Sequence, residues 1–407
     1  MPSIHWTGKH LSQPTPATLL QDSIIYPNGH GYPNIHPQNR LILGDNLAIM
    51  AALIPKYEGR INLIYADPPF FTNRKFTARI GRGEDSRKPE HWQLAEGYQD
   101  NWNNLDAYLD FLYQRLALMY RLLAPDGTLY LHLDWHADAY ARLILDELFG
   151  AANLLNEIIW TYHGPSPIRS AFNRKHDTIL SYFKGEGYTF NADAVREPYN
   201  QNTVNTFKSS RKAGFGKIPD LARGKVPEDW WYFPVVARLH NERTGYPTQK
   251  PVALLERIVL ASSNPGDIVA DFFSGSGTTA YAAALHARTF ITSDQNVRAI
   301  CTTRNRLIDV ETPFIVERDI SCNLSYLIPP KTTTAILSEG IISLDTKLDL
   351  DYWEVDPNWD GKIFRSAGQA KRPVRSGEFH RELKIKAGRR VAIRLVTVMG
   401  EQYQLNI

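Results

Sequence analysis

A short acidic and proline-rich segment, Asp67-Pro68-Pro69-Phe70, has residue types suited to holding an amine for reaction. The apolar run 61–66 predicts a strand that the prolines end, and open α/β sheets place reactive groups where strands end. A carboxylate and a main-chain carbonyl that accept both N–H bonds of a ring-conjugated amine would favour tetrahedral character as its lone pair attacks. Asp67 and the Pro68 carbonyl suit these parts, the prolines keep them rigid, and Phe70 offers a ring face for stacking.

A glycine-rich segment lies between a strand expected at 267–272 and a helix expected at 278–287. Its residues are Asp271-Phe272-Phe273-Ser274-Gly275-Ser276-Gly277-Thr278. Glycines let the backbone turn tightly and approach a ligand, and a helix start offers free N–H groups and a positive dipole end to a carboxylate or phosphate. No lysine ends the loop, which excludes the phosphate-binding loop of nucleotide hydrolases.

Asp294 closes the next predicted strand, about 20 residues after the loop, where an acid accepts hydrogen bonds from ribose hydroxyls. A dinucleotide would satisfy the loop and this acid. S-adenosyl-L-methionine would do so equally well, with its carboxylate near the loop and its ribose at Asp294. The loop alone leaves both ligands open. Asp-Pro-Pro by itself is more often a simple strand end and turn, but together with this loop it favours a chemical site.

Strands and helices alternate around these motifs, as hydrophobic periodicity indicates. We expect strands at 40–43, 61–66, 128–133, 157–162, 178–183, 267–272 and 289–293, and helices at 46–57, 105–123, 137–149, 251–263 and 278–287. Short turns between such units predict a mostly parallel sheet covered on both faces. We interpret 71–103 as a long polar loop, 1–39 as an extended arm, 185–245 as irregular and 311–407 as a small β-rich appendage.

Composition constrains the function less than the motifs do. The chain is 43% hydrophobic with a net charge of +3, which is typical of a folded protein and too mild to prove a nucleic-acid partner. Two cysteines make neither a disulfide framework nor a zinc site. His132, Asp134 and His136 share a strand end but lack a fourth ligand, so we expect no metal. Without a secretory signal or an apolar run long enough to span a bilayer, the expected location is cytoplasmic.

Several motifs in a fixed order make the chain resemble the amino-directed DNA methyltransferases, which modify adenine N6 or cytosine N4. The order matches their permuted beta group, in which the catalytic segment precedes the cofactor loop. The resemblance covers about residues 40–310. The motifs are Leu43-Gly44-Asp45-Asn46, Asp67-Pro68-Pro69-Phe70, Tyr246-Pro247-Thr248-Gln249-Lys250-Pro251, the glycine loop and Asp294.

The resemblance implies a Rossmann-like fold and S-adenosyl-L-methionine as the cofactor. In the family, the acid at Asp45 contacts the cofactor adenine, the element with Thr248 and Lys250 holds its methionine end, and Asp294 binds its ribose. The glycine loop contributes further cofactor-binding residues, namely Asp271, Phe273, Ser274, Gly275, Gly277 and Thr278. Phe70 stands where many relatives carry tyrosine, so it can stack on a base without donating a hydrogen bond.

The resemblance also suggests how the chain is divided. We expect an N-terminal arm at 1–39, the catalytic half at 40–184, a candidate target-recognition region at 185–245, the cofactor-binding half at 246–310 and a β-rich module at 311–407. Double-stranded DNA is the implied partner, and cations near aromatics suit its phosphates and bases. The candidate DNA-binding residues are Arg74, Lys75, Lys208, Arg211, Lys212, Trp230 and Trp231. A homodimer and a cognate restriction endonuclease on a separate chain are compatible with the resemblance.

The motifs leave four possible functions: methylation of adenine N6 in DNA, methylation of cytosine N4 in DNA, DNA binding without turnover, and methylation of RNA. Adenine N6 is the first expected target, because an aspartate precedes the two prolines, whereas serine is commoner in cytosine-N4 enzymes. A DNA-binding specificity subunit without turnover is the alternative from another class, and intact Asp67, Gly275 and Gly277 argue against it. An RNA methyltransferase is disfavoured by the permuted motif order.

Overall fold

The computed structural model describes residues 3–80, 93–164, 168–209, 220–237, 240–322, 325–373, 378–386 and 388–407. The α-helices are α1 (Asn46–Tyr57), α2 (Leu105–Leu122), α3 (Asp138–Leu145), α4 (Gln201–Ser209), α5 (Val252–Ser262), α6 (Thr278–Leu285) and α7 (Val297–Leu307). A π-helical turn, Asp146–Gly150, continues α3, and short 3-10 turns lie at Pro27–Gly29, Ala151–Asn153, Ala192–Val195 and Ile308–Val310. None of the described helices is long and apolar enough to cross a membrane.

The strands belong to one large sheet, two smaller sheets and a hairpin. The first ten are β1 (Leu19–Ile25), β2 (Asn39–Leu43), β3 (Ile61–Ala66), β4 (Arg74–Ile80), β5 (Gln93–Asp100), β6 (Leu123–Leu133), β7 (Leu154–Thr161), β8 (His176–Phe183), β9 (Trp230–Tyr232) and β10 (Ile268–Asp271). The others are β11 (Thr289–Asp294), β12 (Phe314–Asp319), β13 (Thr334–Ser338), β14 (Ile341–Asp345), β15 (Leu350–Asp356), β16 (Phe364–Ser366), β17 (Gly368–Lys371), β18 (Glu382–Lys384), β19 (Ala392–Thr397) and β20 (Gln402–Asn406).

The large sheet has the strand order β16-β1-β12-β2-β11-β10-β3-β6-β8-β7-β9. From β12 to β6 every neighbouring pair is parallel. Antiparallel pairing begins on either side, between β1 and β12 and between β6 and β8. The predicted mixed, mostly parallel sheet of an α/β protein is therefore confirmed.

Helices cover both faces of this sheet because its strands carry apolar side chains in both directions. Ile42 and Ile64 pack with residues of α1, α2 and α3 on one face. Their strand neighbours Leu41 and Leu63 point to the opposite face, where α5, α6 and α7 supply the buried partners. Two hydrophobic layers thus hold the sheet rigid, and the loops at its edges can carry the polar groups.

The parallel strands bring distant parts of the chain together at their carboxyl ends. Asp45 follows β2, Asp67 follows β3, and Asp134 follows β6. Asp271 and Asp294 are the last residues of β10 and β11. Since all five strands run in one direction, these acids lie along the same edge, where ligands of open α/β sheets bind.

Two regions expected to lack regular structure form strands instead. Residues 71–103, predicted as a loop, contain the antiparallel hairpin β4–β5, in which the rings of Phe76 and Tyr98 stack with centroids 4.7 Å apart. The expected N-terminal arm contributes β1, which pairs with β12 and β16 and buries Ile24 and Ile25. Cross-strand aromatic packing and long-range pairing outweigh the polar composition of these segments.

Residues 311–407 contain strands, as predicted, but they are not simply an appendage. β12 and β16 lie in the large sheet, while β13-β14-β18 and β17-β15-β19-β20 form separate sheets around the buried Trp353. Ion pairs from α7 reach this module, joining Arg298 to Asp351 and Arg304 to Glu354. The C-terminal strands therefore brace the helix that follows Asp294.

Candidate active site

A cavity of about 550 Å³ opens at the carboxyl edge of the parallel strands. The walls contain all four residues of the predicted catalytic segment, Asp67, Pro68, Pro69 and Phe70. Most of the predicted cofactor-binding residues also line it, namely Asp45, Thr248, Lys250, Asp271, Phe273, Ser274, Gly275, Thr278 and Asp294. Motifs separated by about two hundred residues of sequence thus share one site, as the carboxyl-edge rule for α/β sheets requires.

Asp67 has one carboxylate oxygen engaged and one free. The Lys250 ammonium donates to Oδ2 at 2.5 Å, and this bond joins the predicted catalytic segment to the Pro-Thr-Gln-Lys-Pro element. Oδ1 is buried and has no hydrogen-bond partner among the described residues. A buried acceptor without a partner is unusual in a folded protein. This oxygen is consequently available to an N–H donor that enters the cavity.

Phe70 forms an aromatic wall next to that oxygen. Its ring lies 5.3 Å from the Lys250 ammonium and 5.8 Å from the His132 ring centroid. The Tyr108 hydroxyl donates to the Pro69 carbonyl at 2.9 Å and so fixes the proline turn that carries the ring. The two prolines before it and these contacts hold Phe70 where its ring can stack against a planar ligand.

A buried polar network holds His132, whose ring packs against Phe70. The Tyr65 hydroxyl bonds His132 Nδ1 at 2.7 Å, and His132 Nε2 bonds Asp177 Oδ2 at 3.2 Å. Tyr162 donates to the other Asp177 oxygen. Burial alone would raise the pKa of Asp177, but the hydrogen bond and charge of His132 bring that pKa below its ordinary value. Asp177 was not anticipated from sequence, because only the fold reveals its contact with His132.

The histidines that could suggest a metal site have other partners. His132 is taken up by Tyr65 and Asp177, as above, while His136 bonds Asp134 through its backbone N–H and Nδ1, both at 2.9 Å. Burial raises the pKa of the Asp134 carboxyl, and the His136 hydrogen bonds oppose that rise. No group of three or more potential metal ligands occurs in the described parts of the chain.

Asp100 organises the turn that follows Phe70. This fully buried carboxylate accepts the backbone N–H groups of Phe71 and Thr72 at 3.1 and 2.7 Å, the Thr72 hydroxyl at 2.6 Å and the Trp102 indole N–H at 2.7 Å. Phe71 and Asn73 have positive φ angles of 66° and 54°, which are strained for side chains with a Cβ. Sequence reasoning missed Asp100 because it placed this acid in a loop.

The glycine loop has backbone angles that other residues rarely adopt. Gly275 and Gly277 have φ angles of +50° and +75°, and a Cβ on Gly277 would lie 2.6 Å from the Thr303 side chain. Gly277 is not among the residues that line the cavity, unlike its neighbours Ser276 and Thr278, and α6 begins directly after it. Glycine is therefore required at 277 for both conformation and close packing.

Hydrogen bonds tie this loop to its neighbours. The Thr278 hydroxyl donates to the Lys250 carbonyl at 3.1 Å, and Arg306 donates to the same hydroxyl at 2.8 Å. Thr248, with a φ of +56°, places its hydroxyl 3.4 Å from that of Tyr98. The loop and the Pro-Thr-Gln-Lys-Pro element consequently form one wall of the cavity.

Asp45 and Asp294 stand at two further positions around the loop. Asp45 Oδ1 caps α1 by accepting from Leu47 and Ala48 N–H groups, and its Oδ2 lies 3.1 Å from the Arg115 guanidinium. Asp294 accepts the Gly275 N–H at 2.9 Å. Burial raises the pKa of Asp294 to about 6, although backbone N–H groups counter part of that effect.

Asp271 is a second carboxyl with a raised pKa. Burial raises it to about 7, despite hydrogen bonds from the Thr279 hydroxyl and the Phe273 N–H. A carboxyl whose pKa is higher in the folded than in the unfolded chain stabilises the fold while protonated. That contribution is complete below about pH 4 and is lost as the pH rises through about 7.

We therefore expect the protein without cofactor to lose thermal stability relative to its Asp271→Asn variant as the pH rises from 5 to 8. Asparagine cannot ionise, so it lacks the pH-dependent cost of a buried carboxylate. Melting temperatures of both proteins across this range measure the difference. Parallel curves would show that Asp271 does not titrate with a raised pKa.

The predicted DNA-binding residues occupy different environments. Arg74 lines the cavity and Lys75 follows it on β4. Trp230 is 61% exposed on β9. The structure contradicts the prediction that Trp231 contacts DNA. Its side chain is only 8% exposed, donates its indole N–H to the Glu228 carbonyl and packs beside Arg257. Successive side chains of a strand point to opposite faces, so Trp231 points into the core while Trp230 points to solvent.

The remaining cations were predicted within 185–245. Lys208 lies in α4, although its side chain falls outside the described atoms, and Arg211 and Lys212 lie outside the described residues. Their role in DNA binding stays a prediction.

The sequence of the chain is similar to those of known DNA methyltransferases. A family model described as DNA methylase matches residues 61–303. The chain is 31% identical over 279 residues to DNA adenine methyltransferase YhdJ of Escherichia coli (strain K12), covering 68% of this chain and 85% of that protein. It is 31% identical over 252 residues to type II methyltransferase M.HpaI of Haemophilus parainfluenzae, covering 61% and 69%.

Solved structures are more distant. The complex of M1.HpyAVI with SAM is 21% identical, with a TM-score of 0.42, over 66% of this chain and 99% of that one. The cytosine-N4-specific PvuII DNA methyltransferase is 16% identical, with a TM-score of 0.45, over 68% of this chain and 94% of that one.

Proposed function

Because the chain belongs to the N6/N4 DNA methylase family, we propose that it transfers a methyl group from S-adenosyl-L-methionine to N6 of adenine in DNA. The observation that carries this proposal is the buried Oδ1 of Asp67, which has no hydrogen-bond partner among the residues that the structure describes and lies in the cavity that also contains the glycine loop. The name of the relative YhdJ and the aspartate before Pro68 favour adenine. Cytosine N4 is the second candidate target.

Asp67 and Pro68 would act on the amine itself. Oδ1 accepts one N–H of the amino group and the Pro68 carbonyl accepts the other, so the lone pair is directed away from ring conjugation. The amine would gain positive charge as its bond to the methyl carbon forms and the carbon–sulfur bond of the sulfonium breaks. The adjacent carboxylate would stabilise that charge until one N–H proton passes to solvent. Lys250 holds Oδ2 in place, while Phe70 stacks on the base. The base must leave the duplex to reach this cavity.

The residues around the loop suit the proposed cofactor. Asp294 offers carboxylate oxygens to ribose hydroxyls, and Asp45 offers one to an adenine amino group. Backbone N–H groups at the glycine loop and the start of α6 suit a carboxylate. The loop has no side chain at Gly275 to obstruct a ligand. When bound, S-adenosyl-L-methionine supplies an electrophilic methyl group on its sulfonium.

Expression in a methylation-free host, followed by modification-sensitive sequencing of its DNA, would test this proposal and reveal the recognition sequence. We expect N6-methyladenine at one defined sequence, and an Asp67→Ala strain should lack it. Methylation confined to cytosine N4 would replace adenine as the target. DNA binding without any transfer by the purified protein would instead favour a non-catalytic specificity subunit, and transfer to structured RNA alone would exclude DNA as the substrate.

Asp294→Ala is expected to weaken cofactor binding by about 10- to 100-fold, because hydrogen bonds to a charged acceptor each contribute about 1.5–3 kcal/mol. Calorimetric titration with S-adenosyl-L-methionine measures the change. Asp345→Ala is the matched control, since Asp345 is exposed on β14 in the C-terminal module. An unaltered titration for Asp294→Ala would contradict the ribose assignment.

We further propose that residues 185–245 read the DNA sequence, since this stretch joins the catalytic half to the cofactor-binding half and carries Lys208, Arg211, Lys212 and the exposed Trp230. The relative M.HpaI is named a type II methyltransferase, which supports a role beside a restriction endonuclease on a separate chain. The proposed site of action is the cytoplasm, at the nucleoid. A homodimer remains a further proposal, testable by light scattering.

A further inference from the structure

The loop between β7 and β8 presents an unusual pairing of an exposed aromatic ring with cations. Phe172 is 99% exposed. The stretch from Tyr162 to His176 also contains Arg169, Arg174 and Lys175 but no aspartate or glutamate. A phenylalanine ring left wholly in water is unfavourable by its apolar area, whereas cations beside it would attract a polyanion.

Topology places this loop at the mouth of the cavity. β7 and β6 are both antiparallel to β8, so β7 ends at the same edge as β6, where Asp134 lies. Tyr162 and Asp177, which flank the loop, line the cavity directly. The loop carrying Phe172 is thus attached at both ends to the wall of the proposed base-binding site.

A contact beyond the strand ends also fixes the loop. The Arg174 guanidinium lies over the Trp135 ring at 4.1 Å, and Trp135 follows the cavity residue Asp134. This cation–π contact holds the backbone two residues from Phe172 against the cavity rim. Tyr232, which is also exposed, already has a ring neighbour, since it contacts His163 with centroids 5.3 Å apart.

Removing a base from a duplex leaves a gap in the stack. The unpaired partner and the unstacked neighbours raise the free energy of the opened DNA, and this cost is smallest where the target base is already mispaired. Proteins that open base steps insert apolar side chains between the bases. Cations beside the inserted side chain hold the flanking phosphates.

We propose that Phe172 inserts into duplex DNA as a wedge that fills the space left by the target base, while Arg169 and Arg174 bind flanking phosphates. This inference rests on the proposed methylation of DNA and names the surface that opens the duplex. The only charged residues of the loop are cationic, and they complement the phosphates of DNA. DNA is therefore the partner that we propose for this loop.

Phe172→Ala tests the wedge, with Ile336→Ala as a matched control. Ile336 is also an exposed apolar residue, but it lies on β13, in a sheet of the C-terminal module that is separate from the large sheet carrying the cavity. Single-turnover methyl transfer is measured on two duplexes that contain the recognition sequence found by sequencing. One duplex is fully paired, and in the other the target base faces a mismatch.

Phe172→Ala is expected to slow transfer to the paired duplex by about tenfold or more and to act within about threefold of wild type on the mismatched one. Phe172→Leu should retain most activity, and Ile336→Ala should match wild type on both. Equal slowing on both duplexes, or no slowing on either, overturns the wedge. Failure of wild type to methylate either duplex overturns the proposed function and the wedge together, whereas an active wild type separates the two outcomes.

Discussion

Asp67→Ala is expected to lower the rate of methyl transfer by about 10²- to 10³-fold, the loss typical when one preorganised hydrogen-bonding group is removed from a reacting centre. The variant loses the buried Oδ1 that has no partner within the described chain. Cofactor affinity should stay within about threefold of wild type, because the glycine loop and Asp294 hold the cofactor in our proposal. Single-turnover transfer and calorimetric titration measure the two quantities separately.

Asp67→Ala also removes the charged partner of Lys250, so a second variant is needed to separate catalysis from stability. Lys250 is buried and its ammonium bonds Asp67 Oδ2, so Asp67→Ala leaves a buried charge without its partner and lowers stability. Asp67→Asn keeps the shape and one oxygen but loses the negative charge. We expect transfer to fall strongly in Asp67→Asn as well, with a smaller change in melting temperature. Full turnover in either folded variant would refute the role of Asp67.

The features predicted correctly from sequence depend on local pattern. The apolar runs before Asp67 and around Val269 indicate strands by themselves, and the prolines and glycines that follow mark their ends. The rule that parallel strands collect ligands at their carboxyl ends then predicts the shared cavity without further information. Helix α1 likewise begins where Asp45 can cap it.

The features missed depend on partners distant in sequence. β1 pairs with β12, whose residues lie almost three hundred positions later, and no local periodicity reveals that pairing. The hairpin β4–β5 was interpreted as a loop because its many charged residues obscured the stacked Phe76 and Tyr98. Trp231 and Trp230 are adjacent in sequence and alike in type, yet only the direction of β9 decides which of them is buried.

The same reasoning explains why supporting residues escape sequence analysis while central ones do not. Asp67 stands inside a recognisable motif, whereas Asp177 supports Phe70 only through His132. Asp100 acts on the backbone of residues about thirty positions earlier. Such residues have roles set by neighbours in space, so their effects on catalysis must be tested by substitution.

Asp100→Ala should slow methyl transfer by about 10²-fold, the cost expected when reacting groups are misplaced by about 1 Å. The change removes the acceptor of four hydrogen bonds from Phe71, Thr72 and Trp102. Phe71 and Asn73 would then relax from their positive φ angles, and the preceding Phe70 would shift. Buried donors left unpaired should also lower stability by about 2–4 kcal/mol.

Graded substitutions separate positioning from simple unfolding. Asp100→Asn keeps one acceptor oxygen and should lose less activity than alanine, and Thr72→Val, which removes a single donor, should lose the least. Asp126→Ala is the matched control, because that acid is exposed on β6. Melting temperature and cofactor titration accompany each single-turnover rate. If Asp100 positions Phe70, transfer falls in variants that still bind cofactor as wild type does; a fall in transfer that only tracks lost cofactor binding would contradict this role.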